Sequence, residues 1–446
     1  MNPSILKPAS LAIATTAAVL AASAQAAVPE VSGVSMSQNA TDRTVTINYT
    51  LSDAPAVVTL DIQTNANTSA AANDPGWTSI GGGAIWNARG DVWKKVETGS
   101  RTITWKPDLS WPNHKIEASG ARAVVTAWAT NNTPDYMVVH LDIAGAVPSY
   151  YPAADFLPKA SYDQEGAAVT NNPAYKRTKI LMRKVMAKDI TWTMGSTSVE
   201  TERHADPKEK THEVTLDGNY YIGVFPITQY QWLLVKGSNP SYFTTERDMR
   251  PVEKITYIGA RLAGSNSASE DAPYWPAAPH GNSFLGLLNS RTGLDFDLPS
   301  EAQWEFAARA GNGDGLWGDG SAILNTDSDA NLARLGRYNR PNTDPSTTAP
   351  NVGGTSIVGS YAPNSWGIYD MHGNVLEICL DWYAEDITSL GGAVNTTRPS
   401  GNYIVARGGS WNNYSGASRP ARRNNIAYNL SYNSMGLRVV CTAGLK

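Results

Sequence analysis

The last quarter of the chain constrains it most, because glycine, tryptophan and charged residues recur there in short punctuated segments. Gly367-Ile368-Tyr369-Asp370-Met371-His372-Gly373-Asn374-Val375-Leu376-Glu377 opens this region. Arg407-Gly408-Gly409-Ser410-Trp411-Asn412-Asn413 comes next, and Met435-Gly436-Leu437-Arg438-Val439-Val440 closes it. Turns of this kind, separated by brief β-rich runs, predict short strands joined by long loops. The same texture begins at Thr178 and continues to the C-terminus.

At 446 residues the chain exceeds one ordinary domain, so two or three are expected. A hydrophobic content of 41% with 17% charged residues belongs to a globular protein. The net charge of -4 offers no electrostatic basis for nucleic acid or an acidic membrane as partner. The N-terminus reads as an export signal over residues 1–26: Lys7, an apolar run from Leu11 to Ala22, then small residues at Ala24-Gln25-Ala26. A secreted or periplasmic protein is therefore expected, with a buried N-terminal helix as the alternative. The apolar run is short for a bilayer and no later one approaches about 18 residues, so no membrane span is expected. Cys379 and Cys441 are either a disulfide or two separate buried thiols.

Residues 28–146 read as an all-β sandwich of the immunoglobulin or fibronectin kind. In Thr44–Tyr49 the side chains of Val45, Ile47 and Tyr49 alternate with polar neighbours and share one face. Val57–Ile62, Thr102–Trp105, Ala123–Trp128 and Met137–Leu141 are further β-rich runs separated by turn residues. Residues 147–177, rich in Pro, Ala, Tyr and Asn without periodicity, read as a linker, and 178–446 as the second domain. There, Ser300 and Gln303 form an S-x-x-Q capping box, and Trp304, Ala307 and Ala308 give the following helix one buried face. Gly311 and Gly313 mark its end. Shorter helices are expected over Gln229–Val235 and Ser283–Arg291.

Several motifs from residue 178 to 442 occur in one order: Thr193-Met194-Gly195-Ser196, Tyr221-Ile222-Gly223-Val224-Phe225-Pro226-Ile227-Thr228, Arg250-Pro251-Val252, Leu298–Arg309, and the C-terminal segments above. This series resembles the formylglycine-generating enzyme (sulfatase-modifying factor) family. The resemblance implies an α+β, modified C-type-lectin-like domain behind the β-sandwich. It also implies copper chemistry at two cysteines, but those positions read Asn413 and Ser418 here. Neither an amide nor a hydroxyl supplies the soft thiolate that Cu(I) selects, so copper and the oxidase are not expected. Relatives with iron-dependent sulfoxide synthase activity rely on a His cluster. The six histidines here (His114, His140, His204, His212, His280 and His372) show no ligand spacing and read as isolated surface or core residues. The resemblance further implies a calcium site at Asp370, Gly373, Val375 and Glu377, with Asn374 adding an amide oxygen, and a second near Asn331 and Leu332. Asp370 and Glu377 can instead serve only as acceptors for nearby backbone.

From Trp411 to Asn433 the chain is crowded with Asn, Tyr and Ser, and the interleaved Arg419, Arg422 and Arg423 read as structural or rim cations. Tyr among small polar residues is the composition of adaptable binding loops. The segment also resembles the variable region of diversity-generating retroelement proteins. Trp411, Asn413, Tyr414, Ser418, Tyr428 and Tyr432 are the candidate ligand contacts, and a protein or glycan the expected partner. A polar loop tied down by its own Asn side chains is the equal alternative. The expected function is a non-catalytic binding module. The alternative is a formylglycine-generating-type oxidoreductase acting on a protein cysteine.

Overall fold

The computed structural model describes residues 27–114, 118–160, 168–197, 208–262, 278–339, 354–387 and 402–442. The export signal expected over residues 1–26 lies outside them. The fold is mixed α+β and mostly β.

The N-terminal part is built on two antiparallel sheets. Strands β1 (Glu30–Gln38), β2 (Val45–Ser52) and β4 (Gly99–Trp105) pair in the order β1–β2–β4. Strands β3 (Ala56–Thr64) and β5 (Ala121–Ala129) pair in register along their whole length. On β2 the alternation holds: Val45, Ile47, Tyr49 and Leu51 are buried while Asn48 and Thr50 are exposed. That face alone has a core to cover it, which fixes the strand register.

Two further sheets are formed among the described residues by ten more strands. They are β6 (Tyr136–His140), β7 (Ser149–Tyr151), β8 (Lys179–Val185), β9 (Tyr220–Gly223) and β10 (Phe296–Asp297), followed by β11 (Leu376–Trp382), β12 (Tyr403–Arg407), β13 (Asn424–Ala427), β14 (Met435–Gly436) and β15 (Val440–Thr442). One sheet runs β7–β6–β8–β9–β15–β10, and a second runs β13–β12–β11–β14. In the second sheet β14 lies parallel to β11.

Two sequence expectations meet a different arrangement here. Strand β6 falls inside the stretch read as sandwich, yet it pairs antiparallel with β8, Lys179 opposite His140 and Arg183 opposite Tyr136. Alternation identifies a strand but not its neighbour. The stretch read as linker also carries buried rings: Tyr150, Tyr151 and Tyr175, with Leu157, are enclosed. Irregular composition lacks periodicity, but its aromatic side chains still bury area. Tyr151, Leu157 and Tyr175 join Val45, Ile47 and Leu60 in one apolar cluster with Leu181, Val224 and Phe225. The N-terminal strands therefore share a core with β8 and the segment after β9.

The helices obey their local signals. Helix α1 (Gln229–Lys236) starts at a Thr228–Gln231 capping box and stops at Gly237 in the left-handed region. Helix α2 (Phe284–Thr292) is capped by Ser283. Helix α3 (Glu301–Arg309) has the expected Ser300–Gln303 box and buries Trp304, Ala307 and Ala308. It ends at Ala310, one residue before Gly311, and Ala310 itself adopts the left-handed conformation.

Candidate functional site

The C-terminal motifs converge on buried charge. Glu377, on β11, is fully enclosed, and both its oxygens accept from Arg438 (Nη2 to Oε1 2.7 Å, Nε to Oε2 2.9 Å). Trp304 Nε1 of α3 donates to the same carboxylate at 2.7 Å. Arg438 also donates to the carbonyls of Gly223 and Tyr369, at 2.6 and 2.7 Å. One guanidinium thus joins several of the recurrent segments. Glu305 joins others: its carboxylate accepts from Gly195 N (2.9 Å), Arg309 Nε (2.8 Å) and the Arg407 guanidinium. Burial pushes the Glu305 carboxyl up, but the Arg309 and Arg407 charges outweigh it and hold it below the usual range.

Glycine is required where the Arg407-Gly408-Gly409 turn passes α3. Gly408 has φ +89, and a Cβ there would lie 2.9 Å from the Trp304 ring. At Gly409, with φ +67, a Cβ would sit 2.4 Å from Ser418 Oγ. The turn therefore presses directly onto Ser418.

Ser418 is buried and its hydroxyl has no hydrogen-bond partner. It cannot be a ligand contact, which corrects the sequence reading: the short helical turn Ser415–Ser418 points this side chain under the glycine turn. Nor is it an activated nucleophile. The nearby ring of His372 reaches the Ser418 carbonyl, not its hydroxyl, through Nδ1 at 3.1 Å, and Nε2 accepts from Gly318 N at 3.1 Å. Burial drives the His372 imidazole down to about 4, so it is neutral near pH 7. His372 is thus a satisfied core histidine, as expected.

Asn413 is half-buried in a local net. Ser410 Oγ lies 2.7 Å from Asn412 Oδ1 and 2.6 Å from Asn413 Oδ1, while Asn339 N donates to the Asn413 carbonyl at 2.8 Å. Cys379 and Cys441 are not joined by a disulfide, and both are buried. Burial raises the Cys379 thiol well above its ordinary value, which keeps it protonated. The residues present do not fit copper: the two family positions offer an amide and an enclosed hydroxyl, and the nearest chemistry in kind is a buried thiol elsewhere.

The expected calcium donors are drawn into the protein's own interactions. Glu377 is neutralised by Arg438, whose positive charge would oppose a cation beside it. Asp370 accepts from Gly359 N at 2.7 Å, the Gly373 carbonyl from Val375 N at 3.0 Å, and the Asn374 carbonyl from Trp411 N at 3.0 Å. The Asn374 amide is paired with the Ser356 backbone through both its atoms. Around Asn331 the carboxylate of Asp329 likewise accepts backbone N–H groups, from Leu324, Asn325, Asn331 and Leu332. Among the described residues no cluster of three or more His, Cys, Asp or Glu is placed to hold a metal.

The Trp411–Asn433 stretch divides in two. Arg419 and Arg423 are interior residues, ion-paired with Glu209 and Glu301 at 3.0 and 2.6 Å. Tyr428 turns inward against Trp382, ring centroids 5.7 Å apart. Tyr414 and Tyr432 stay 55% and 47% exposed. Trp411 donates through Nε1 to the Asn433 carbonyl and meets Phe243 edge-on at 5.3 Å. Phe243 in turn meets Tyr242, which is 64% exposed. This aromatic row from Tyr242 through Phe243 to Trp411 is invisible in the sequence, where an isolated Tyr-Phe pair carries no signal of its distant partner.

The description "sulfatase-modifying factor enzyme 1-like domain" fits residues 179–443, which match that family's model. The chaperone protein LppX of Paenibacillus barcinonensis is 30% identical over 44% of this chain and 71% of its own. A formylglycine-generating enzyme of Thermomonospora curvata is 31% identical over 26% of this chain, which spans only 38% of that enzyme. Among solved structures, Treponema denticola variable protein 1 is 25% identical over 59% of this chain and 96% of its own, with a TM-score of 0.43. Among the described residues no helix is long and apolar enough to cross a membrane.

Proposed function

The chain belongs to the sulfatase-modifying factor enzyme 1-like family, and from that premise we propose that it is a non-catalytic binding member of the family. Its second part is read as a modified C-type-lectin-like domain, and its N-terminal strands as an immunoglobulin-like sandwich that acts as a docking module. We place the protein outside the cytoplasm and its ligand, a protein or glycan, on the rim around Trp411, Tyr414 and Tyr432. The exposed Tyr242 extends that rim.

One observation carries the proposal. The second thiolate position of the resembling oxidase is Ser418, enclosed beneath Gly409 with no base at its hydroxyl. Oxidation of a cysteine by copper and oxygen needs a thiolate pair at that place, and this chain has none to put there. The 30% identical LppX is a chaperone by its description.

The test is a mass-spectrometric assay of the full chain with copper, oxygen, a reductant and a sulfatase-type cysteine peptide. No conversion is expected beside an active control enzyme. Formylglycine in the product would overturn the proposal and restore the oxidase. A glycan and peptide array probed with the native chain and with Tyr414→Ala and Tyr432→Ala then locates the contact surface. Binding that both variants leave intact would exclude the rim as that surface.

A further inference from the structure

A cleft of ≈ 430 Å³ opens between β1 and β5, the outer strands of the two N-terminal sheets. β1 pairs with β2 alone and β5 with β3 alone, and among the described residues no backbone hydrogen bond joins β1 to β5. Met36, Ser37 and Gln38 bound the cleft on one side, Ala121, Arg122 and Ala123 on the other. Successive residues of a strand point to opposite faces, so a cleft that meets three in a row meets the strand along its edge. The floor is apolar core: Val45, Ile62 and Trp105 line it and are buried.

The backbone of β1 is open on that side. Asn39 N donates to the Thr44 carbonyl at 2.9 Å, one step beyond the Gln38–Val45 pair. Hydrogen-bonded pairs alternate along an antiparallel ladder, so Ser37 opposite Thr46 and Ser35 opposite Asn48 turn their backbone groups to β2. Met36 and Gln38 turn theirs to the cleft. Exposed edges usually carry a charge or a proline that blocks a further strand. From Val31 to Gln38 β1 has neither, and all but Val31 and Met36 are exposed. Its one irregularity lies between Ser32 and Ser35, and from Ser35 to Gln38 it runs in register with β2. The arginines at the cleft are already matched. Arg43 pairs with Asp108 at 3.3 Å, and Arg122 donates to Gln63 Oε1 and to the Ala72 carbonyl. They call for no charged ligand.

We propose that the free edge of β1 docks an extended strand of a partner protein, whose backbone pairs with Met36 and Gln38 while an apolar side chain enters the cleft. Unmatched backbone donors and acceptors in a row specify another backbone, which presents both at the same spacing. The apolar floor selects Val, Leu or Phe at alternate positions of the incoming strand. This gives the N-terminal docking module its surface and rests on that reading, whereas the Trp411–Tyr432 rim takes no part in it.

Isothermal titration calorimetry and tryptophan fluorescence of the full chain test it. The probes are peptides as long as β1, nine residues, alternating Thr with Val, Leu, Phe or Glu and ending in Lys. An apolar member should bind with Kd below about 1 mM, and the Glu peptide should not. N-methylating one set of alternate amides should abolish binding and the other set should not, as a strand paired along one edge requires. Gln38→Pro removes an outward N–H, leaves the β2 ladder intact and should weaken binding about tenfold. Val34→Asp sets a charge at the cleft and should weaken it about tenfold or more. Val34 is 40% exposed, so the thermal melt should not change, and this variant carries the test alone if Gln38→Pro does not fold. No signal with any apolar peptide up to about 1 mM would overturn the proposal. Binding that both variants leave intact would remove the site from β1 while keeping a docking module. Self-association of the native chain that Val34→Asp abolishes would overturn it in favour of a second copy.

Discussion

Asp381 carries the clearest consequence at the scale of one residue. Its carboxylate accepts the first N–H of α3, from Glu301, at 2.6 Å. Burial, with Glu301 adding repulsion, pushes its carboxyl up to about 7. The folded pKa is raised above the unfolded value of about 3.9, so the folded state holds a proton that the unfolded state releases. The contribution to stability is full below about pH 4 and is lost as pH rises through about 7. Asp381→Asn keeps an acceptor for Glu301 N and removes the charge. Its advantage over the native chain should grow across that window to at most about 4 kcal/mol, then level off. Urea denaturation at a series of pH values measures this, and a constant difference would contradict it. Glu377 makes the parallel prediction for metal. A calcium ion at 100 times its dissociation constant would stabilise the fold by about 2.7 kcal/mol. With Glu377 bound to Arg438, melting in millimolar calcium and in chelator should coincide, and a rise with calcium would restore the ion to that turn.

At the scale of the element, α3 shows what local sequence reveals and what it hides. Its start is legible because the capping box needs only residues three apart, Ser300 and Gln303. Its end is legible to within a residue, since Ala310 takes the left-handed position that Gly311 is expected to mark. The charges it buries are not legible. Glu301 pairs with Arg423 and Glu305 with Arg407, partners more than 100 residues away, and no periodicity announces such a pairing. For the same reason the sequence leaves Arg419 and Arg423 open as structural or rim cations, and only their ion pairs with Glu209 and Glu301 place them in the interior. The two kinds of interaction differ in weight. Ser300→Ala should cost about 1 kcal/mol, the loss of one cap. Glu305→Gln leaves Arg309 and Arg407 buried against a neutral amide and should cost about 3–5 kcal/mol. Urea midpoints compare the two, and a Glu305 variant no weaker than the cap variant would show that water reaches those guanidiniums.

For the whole molecule, the place where the chain divides matters most. A strand at Met137–Leu141 is plain from alternation, but its membership of the later sheet depends on β8, some forty residues on, which composition does not report. A chain cut to begin at 178 loses β6 and β7, and with them Met137, Val139, Leu141 and Tyr150 from the main apolar cluster. At about 1.5–3 kcal/mol for each side chain, that loss is comparable to the whole stability of a domain. It also bares the edge of β8. The shortened chain should be insoluble or unfolded by circular dichroism, whereas one beginning near residue 131 keeps β6 and β7 and should stay folded. It should melt below the full chain, because it loses the core shared with the N-terminal strands. A chain from 178 that melted like the full protein would make β6 an accessory. The pairing of β6 with β8 has a mechanical side as well. Tension applied at the N-terminus would not draw out a slack tether. It would load the hydrogen bonds between β6 and β8, so the N-terminal strands behave as a stiff arm, and a pull on them is felt directly in the sheet beneath the C-terminal motifs.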